Sequence, residues 1–218
     1  MKNLCLMLII VLTAQPVFSQ DIEETSPKVR ATIFGGASLP QGDFGSTTTQ
    51  ESGIAMTGYT GALEISSRAN PAISWTSTFS VVINPLDVDE MQKQAGSSFT
   101  VSGGSYTALW GLTGIKFSAP ASPTAELYGQ AQGGLLHSSF PDIDLTFLGT
   151  TIKQTATSKI TFGFGVGAGV QMKNLNIGIR YYSAKPEYEQ SASGGGASAK
   201  NTVKLPMSVL LLMVGITI

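Results

Sequence analysis

Hydrophobic and polar residues alternate most regularly between Ile160 and Lys173. Every even position from Ile160 to Met172 is apolar, and every odd position is Gly, Thr, Gln or Lys. Successive side chains of a strand point to opposite faces, so this period of two predicts a strand with one apolar wall and one small or polar wall. A helix is disfavoured, because each of its four interior glycines would cost roughly 1 kcal/mol relative to alanine.

The same period recurs along the chain and predicts eight strands. They cover approximately 28–39, 54–68, 73–84, 106–117, 125–135, 160–173, 175–182 and 203–218. The last is apolar on both faces near 210–214, and Pro206 suggests an irregular entry. Most of these segments reach the 9–11 residues that a tilted membrane-spanning strand requires.

The connections between the predicted strands alternate in length. Short links occur at 68–72, 118–124 and 173–174, whereas long links occur near 40–53, 85–105, 136–159 and 183–202. Bacterial outer-membrane barrels have short periplasmic turns and longer outside loops. The pattern therefore predicts an all-β fold, an eight-stranded antiparallel up-and-down transmembrane β-barrel with four extracellular loops.

The polar wall also carries the charged side chains of the predicted strands. A lipid-facing Arg or Lys at the bilayer midplane costs about 2–4 kcal/mol, so charges are expected inside the barrel. The side chains predicted to face the interior are Arg30, Glu64, Lys116, Glu126, Gln130 and Arg180. Aromatic residues on the opposite wall, Tyr59, Trp75, Phe117 and Tyr181, are expected to lie in the interface girdles of the barrel.

Composition agrees with a barrel rather than with a cytosolic enzyme. Only 12% of the 218 residues are charged, against about 25% in typical soluble domains, and 25 residues are glycine. The net charge of −1 and the absence of a basic stripe argue against a nucleic-acid partner. The sequence gives no case for a cofactor or a metal ion, and its one cysteine is Cys5.

The N-terminal segment has the pattern of a secretory signal peptide. Lys2 is followed by an apolar run from Leu4 to Ala14 and by small residues before Gln20, so residues 1–19 are expected to be removed. Residues 20–27 are interpreted as a flexible acidic lead-in, and 28–218 as the barrel. The predicted location is the bacterial outer membrane.

The stretch 34–44, Phe-Gly-Gly-Ala-Ser-Leu-Pro-Gln-Gly-Asp-Phe, carries a family resemblance. It resembles the first strand and loop of the small eight-stranded outer-membrane β-barrel domain family of Gram-negative bacteria, in which a glycine pair precedes Pro-x-Gly-x-Phe. The resemblance implies an interior too narrow for general diffusion. It also implies a structural or interaction role, in adhesion or envelope integrity, with outer-membrane lipid around the barrel and an extracellular or envelope partner at the loops.

Two alternatives stay open at this level. His137 and Ser139 share one face, Asp142 follows, and the His-x-Ser pair faintly resembles the outer-membrane lipid A deacylases; these residues are weak candidates for a lipid ester hydrolase. An exported soluble barrel that binds a small apolar ligand is the other alternative. The favoured interpretation is a protein without catalytic residues.

Overall fold

The computed structural model describes residues 29–48, 52–148, 150–157, 159–194 and 197–218. The predicted signal peptide and lead-in lie outside the described residues. Within those residues thirteen strands occur in chain order: β1 (Val29–Gln41), β2 (Gly58–Asn70), β3 (Ile73–Pro85), β4 (Phe99–Gly103), β5 (Ser105–Ser122), β6 (Ala125–Ser139), β7 (Ile143–Phe147), β8 (Thr150–Ala156), β9 (Lys159–Met172), β10 (Leu175–Ala184), β11 (Glu187–Gly194), β12 (Ala197–Lys204) and β13 (Met207–Thr217).

Eight of these strands close into an antiparallel barrel. Their order around the barrel is β1-β13-β10-β9-β6-β5-β3-β2, so every barrel strand pairs with the next barrel strand along the chain, and β1 and β13 close the ring. The predicted eight-stranded barrel is confirmed. Two-residue turns close one end of the barrel at 71–72, 123–124 and 173–174, and this end is the periplasmic one.

Four predicted strand boundaries are wrong. The fourth predicted strand ends at Ser122 rather than at Phe117, and the fifth ends at Ser139 rather than at Leu135. The second strand begins at Gly58 rather than near Ile54, because the preceding residues contribute only an isolated bridge between Ala55 and Leu86. The last barrel strand begins at Met207 rather than at Val203. Val203 pairs with Tyr188 in another sheet, and the chain leaves that sheet at Pro206, which has no N–H to continue a ladder.

The five remaining strands form a second sheet from the long loops. Its order is β12-β11-β8-β7-β4, and its strands come from the second, third and fourth extracellular loops. We call it the loop sheet. The second loop also holds helix α1 (Val88–Ala95), which begins where the Asp87 carboxylate accepts the Glu90 N–H at 2.9 Å and ends at Gly96, whose φ is +87°.

Apolar side chains cover the outside of the barrel. Ile33, Phe162, Val214 and Ile216 are each more than half exposed, and all lie at outward positions of their strands. An apolar surface of this extent is stable against lipid rather than against water. Among the described residues, no helix is long and apolar enough to cross a membrane.

The glycine wall of β9 faces inward and provides room for large side chains of β5, β6 and β10. A Cβ atom added at any of the four glycines would lie 2.5–3.0 Å from such a side chain. The pairs are Gly163 with Trp110, Gly165 with Tyr182, Gly167 with Arg180, and Gly169 with Tyr128. The glycines therefore allow the lumen to be filled rather than left open.

Candidate functional site

The lumen contains a buried charge cluster at mid-height, which we call the inner trio: Glu64, Lys116 and Arg180. The Arg180 Nη2 atom donates to Glu64 Oε2 at 2.7 Å, and the Lys116 ammonium donates to the other carboxylate oxygen. The side chains of all three residues are at most 6% exposed. A buried charge requires a partner, and here one carboxylate serves two cations.

Aromatic rings and amides surround the inner trio. The Arg180 guanidinium carbon lies 4.4 Å from the centre of the Phe34 ring, and Lys116 Nζ lies 4.6 Å from that of Tyr128. The faces of these aromatic rings attract the positive charge that the single Glu64 carboxylate leaves unneutralised. Gln130 donates to Gln132 at 3.2 Å along β6, and Gln132 Nε2 donates to Thr78 Oγ1 of β3 at 3.0 Å, so the layer of polar side chains connects β6 with β3.

A second cluster lies at the periplasmic mouth, and we call it the mouth trio: Arg30, Arg68 and Glu126. Arg68 Nη2 lies 3.1 and 3.2 Å from the two Glu126 oxygens, and Arg30 Nη1 lies 3.8 Å from Glu126 Oε2. Sequence interpretation missed Arg68. The signal was present, because Glu64, Ser66 and Arg68 share the inward parity of the second strand.

The extracellular half of the lumen is filled with apolar side chains. Trp110 and Tyr182 lie with ring centres 5.2 Å apart, and Leu112, Leu136 and Leu211 are fully buried around them. The alternation alone suggests an inward wall of small or polar side chains along its whole length. In the structure, the extracellular part of that wall is apolar. Close packing of these side chains closes the lumen to solvent.

The apolar filling continues into the loops. The ring centres of Phe44, Tyr106, Phe140 and Tyr188 follow one another at 5.1–5.6 Å. The Tyr106 hydroxyl donates to the Gly53 carbonyl at 2.6 Å. The Tyr188 hydroxyl donates to Ser138 Oγ at 2.7 Å, and burial raises the pKa of Tyr188 to about 12.

The two edges of the loop sheet differ. At the β4 edge, the Gln92 side chain of α1 donates to the Phe99 carbonyl at 2.6 Å and accepts the Val101 N–H at 2.9 Å. This amide takes the place of a neighbouring strand. At the opposite edge, no strand of the described part of the chain pairs with the outer side of β12.

The structure does not assemble a triad around the weak catalytic candidates. His137 and Ser139 occupy outward positions near the extracellular end of β6, and the Asp142 side chain is exposed beyond the strand. The Nδ1 atom of His137 is buried and has no hydrogen-bond partner among the described residues. A catalytic histidine is oriented through its second nitrogen, and no carboxylate of the described chain holds Nδ1 here.

The four predicted interface aromatics all face outward. Trp75 and Phe117 lie near the periplasmic end of β3 and β5, since Phe117 pairs with Ile73 at the start of β3. Tyr59 and Tyr181 lie toward the extracellular ends of β2 and β10. The structure thus places two of them toward each rim of the barrel.

Comparison with solved structures identifies the fold. The chain is similar to a major outer membrane protein from Thermus thermophilus, with a TM-score of 0.51 and 14% identity over 87% of this chain and 98% of that one. It is also similar to the outer membrane protein AlkL, with a TM-score of 0.47 and 8% identity over 94% and 96% of the two chains. It is also similar to Ail of Yersinia pestis, with a TM-score of 0.45 and 13% identity over 88% of this chain and 100% of that one.

No protein-family model and no curated protein matches the chain. The class of protein follows from the fold and the surface together. A closed antiparallel barrel with short turns, long loops and an apolar exterior is an outer-membrane β-barrel. The exposed apolar belt also disfavours the alternative of a soluble exported barrel, because that belt would face water.

Proposed function

We propose that the barrel is a closed membrane anchor, and that the loop sheet binds polypeptide partners by strand addition along β12. The single observation that carries the proposal is the outer edge of β12, which no strand of the described chain covers. An unpaired strand edge presents a row of N–H and C=O groups to another chain. The filled lumen supports an interaction role rather than passage of solutes.

The hydrogen bonds of β11 identify which groups point outward from β12. The Leu205 N–H donates to the Pro186 carbonyl across the β11–β12 pair, whereas the Glu189 carbonyl accepts the Thr157 N–H on the β8 side. Backbone direction alternates along a strand. Thr202, the register partner of Glu189, and Lys200 therefore direct their backbone groups toward the open edge.

One of these outward groups is already satisfied locally. The Thr202 N–H donates to the Asn201 side-chain oxygen at 2.9 Å. Lys200 is exposed, and its backbone N–H is the next one along the same edge. Strand addition would use this group, so Lys200 is the position at which the proposal is best tested.

The test compares two substitutions at Lys200. Lys200→Pro removes the outward N–H without breaking a β11 ladder bond, and Lys200→Ala keeps the N–H while removing the side chain. A displayed peptide library is panned against the protein in lipid nanodiscs, and the enriched peptides are titrated against both variants. We expect Lys200→Ala to bind within about twofold of the unchanged protein and Lys200→Pro to lose about tenfold.

Equal peptide binding by Lys200→Pro would contradict strand addition at β12, as would failure to enrich any peptide. Both variants must keep the boiled-versus-unboiled shift in gel mobility that a closed barrel gives. The gel shift reports the barrel alone, so an unchanged pattern of limited proteolysis in both variants is also required to show that the loop sheet is intact.

A further inference from the structure

The periplasmic mouth lies at the opposite end of the barrel from the loop sheet. We propose that the mouth trio holds the phosphate of a phospholipid from the periplasmic leaflet, with an acyl chain of that lipid lying in an adjoining groove on the barrel exterior. The proposal goes beyond the interaction role of the loops, and it rests on the charges, donors and shape of the mouth.

The mouth has more positive charge than its carboxylate neutralises. Arg30 and Arg68 share Glu126, which interacts with Arg68 through a single guanidinium nitrogen. Arg30 Nη1 is 3.8 Å from the Glu126 carboxylate, beyond hydrogen-bond distance, and Arg30 makes no hydrogen bond within the described residues. Its guanidinium donors are therefore available to an anion, and guanidinium groups bind phosphate through paired hydrogen bonds.

Hydroxyl groups complete the donor set. Ser66, Ser74 and Ser118 line the same recess as the two arginines, at the inward positions of β2, β3 and β5. The recess between these hydroxyls has a free volume of only about 20 Å³, so the phosphate would lie in the wider mouth opening of about 460 Å³ that Arg30 and Glu126 also line. The arrangement suits an oxyanion better than a cation, because Glu126 is the one carboxylate of the described chain that lines the recess.

The inner trio adds to the positive potential at the mouth. Lys116 lines the recess from above, and it shares the Glu64 carboxylate with Arg180. The two trios together place four cationic side chains against two carboxylates. Low-dielectric barrel walls focus such a field toward the open end, which attracts anions from the periplasmic side.

An apolar groove on the outer wall adjoins the recess. It has a volume of about 270 Å³, is lined by Ile73, Trp75 and Ile115, and shares Arg68 and Ser74 with the recess. The β2–β3 ladder changes register between Arg68 and Asn70, at this same position. The recess lies on the inner face and the groove on the outer face of the β2–β3 ladder near its periplasmic end, so a lipid that passes over the 71–72 turn could place its phosphate at the mouth and an acyl chain in the groove.

Native mass spectrometry of the detergent-purified protein tests the proposal. The protein is titrated with dioleoyl phosphatidylglycerol, with dioleoylglycerol, which has the same chains without phosphate, and with inorganic phosphate. We expect one retained phosphatidylglycerol, retention of dioleoylglycerol at least tenfold weaker, and no displacement of the lipid by millimolar phosphate.

Two variants change the site in different ways. Arg30→Gln removes the available guanidinium but leaves the Arg68–Glu126 pair, and Ser118→Glu fills the recess with a carboxylate that the arginines can neutralise. Each is expected to lower phosphatidylglycerol retention about tenfold while keeping the gel shift of a closed barrel. Lys153→Gln, an exposed change on the loop sheet, is the matched control and should have no effect.

Unchanged lipid retention in both variants would overturn the proposal. Equal retention of phosphatidylglycerol and dioleoylglycerol would also overturn it, because the phosphate would then contribute nothing. Displacement of the lipid by inorganic phosphate at low concentration, with loss of that competition in Arg30→Gln, would assign the recess to a soluble anion and overturn the lipid source.

Discussion

The two halves of the lumen are filled in different ways. The charged trios occupy the lumen from mid-height to the periplasmic mouth, whereas the extracellular half contains buried aromatic and aliphatic side chains centred on Trp110, Tyr182 and Leu211. Charged groups are stable only when each has its partner, and apolar groups are stable when their volumes fill the space. One barrel therefore uses pairing at one end and packing at the other.

The location of each half follows from what lies beyond it. The periplasmic end closes with two-residue turns, so water reaches the mouth and polar side chains remain hydrated there. The extracellular end continues into long loops, and those loops need an apolar core to fold against. Phe44, Tyr106 and Tyr188 provide it and extend the apolar half above the barrel.

The largest effect is expected from breaking the pairing in the inner trio. Glu64→Gln keeps the shape of the side chain but leaves Lys116 and Arg180 buried without a counter-charge, which should cost about 3–5 kcal/mol. Urea unfolding in detergent micelles, followed by gel mobility, measures the loss. Replacing all three residues by Leu or Met should recover most of it, and a Gln variant as stable as the unchanged protein would contradict the role given to pairing.

Packing in the apolar half is tested by two adjacent leucines of β13. Leu211 is fully buried in the lumen and Leu212 is 47% exposed toward lipid. Leu211→Ala should cost about 2–5 kcal/mol because it leaves a cavity. Leu212→Ala should cost less in the same urea assay, because acyl chains refill the space, and equal losses would show that the lumen is not close-packed.

Substitution of an inward glycine tests the packing of the lumen in the opposite way, because it adds volume to a space that is already filled. A Cβ atom at Gly165 would lie 2.7 Å from the Tyr182 ring, so Gly165→Ala should cost about 1–3 kcal/mol. Nothing lies within 4 Å of a Cβ atom at Gly35, and Gly35→Ala should change stability by about 0.5 kcal/mol or less. The difference between the two urea midpoints is the measurement, and a difference of zero would remove the packing role of the glycine wall.

The smallest effect is expected at the extracellular cap, which is the chain of packed rings formed by Phe44, Tyr106, Phe140 and Tyr188 above the barrel. Tyr188→Phe removes the hydrogen bond to Ser138 and should cost about 1 kcal/mol, seen as faster proteolysis of the loops.

The same residue predicts a dependence on pH. The pKa of Tyr188 is about 12 in the folded cap and near 10 when the cap opens. Tyr188 therefore keeps its hydroxyl proton in the closed cap between pH 10 and pH 12. The free energy that Tyr188 contributes to closing the cap is fully present below pH 10 and falls as the pH rises toward 12. Proteolysis should accelerate over that range, and the acceleration should be smaller in Tyr188→Phe; identical pH profiles would contradict the assignment.

Much of the barrel could be predicted from the sequence because strand alternation is a local property. The parity of Ile160–Lys173 indicated which side of β9 faces lipid, and the same rule placed Glu64, Lys116 and Arg180 on the inner wall. The outer belt follows from the same local rule.

The local pattern of residues thus specifies the eight strands and their two faces, because backbone pleating sets the period of two along each strand. The alternation of short and long links indicates the side on which the long loops emerge. How side chains and strands pair is specified only in the closed barrel. Glu64 meets cations 52 and 116 residues away, and the loop sheet pairs β8 with β11 from different loops. These contacts depend on closure of the barrel, which brings together segments that no local pattern relates.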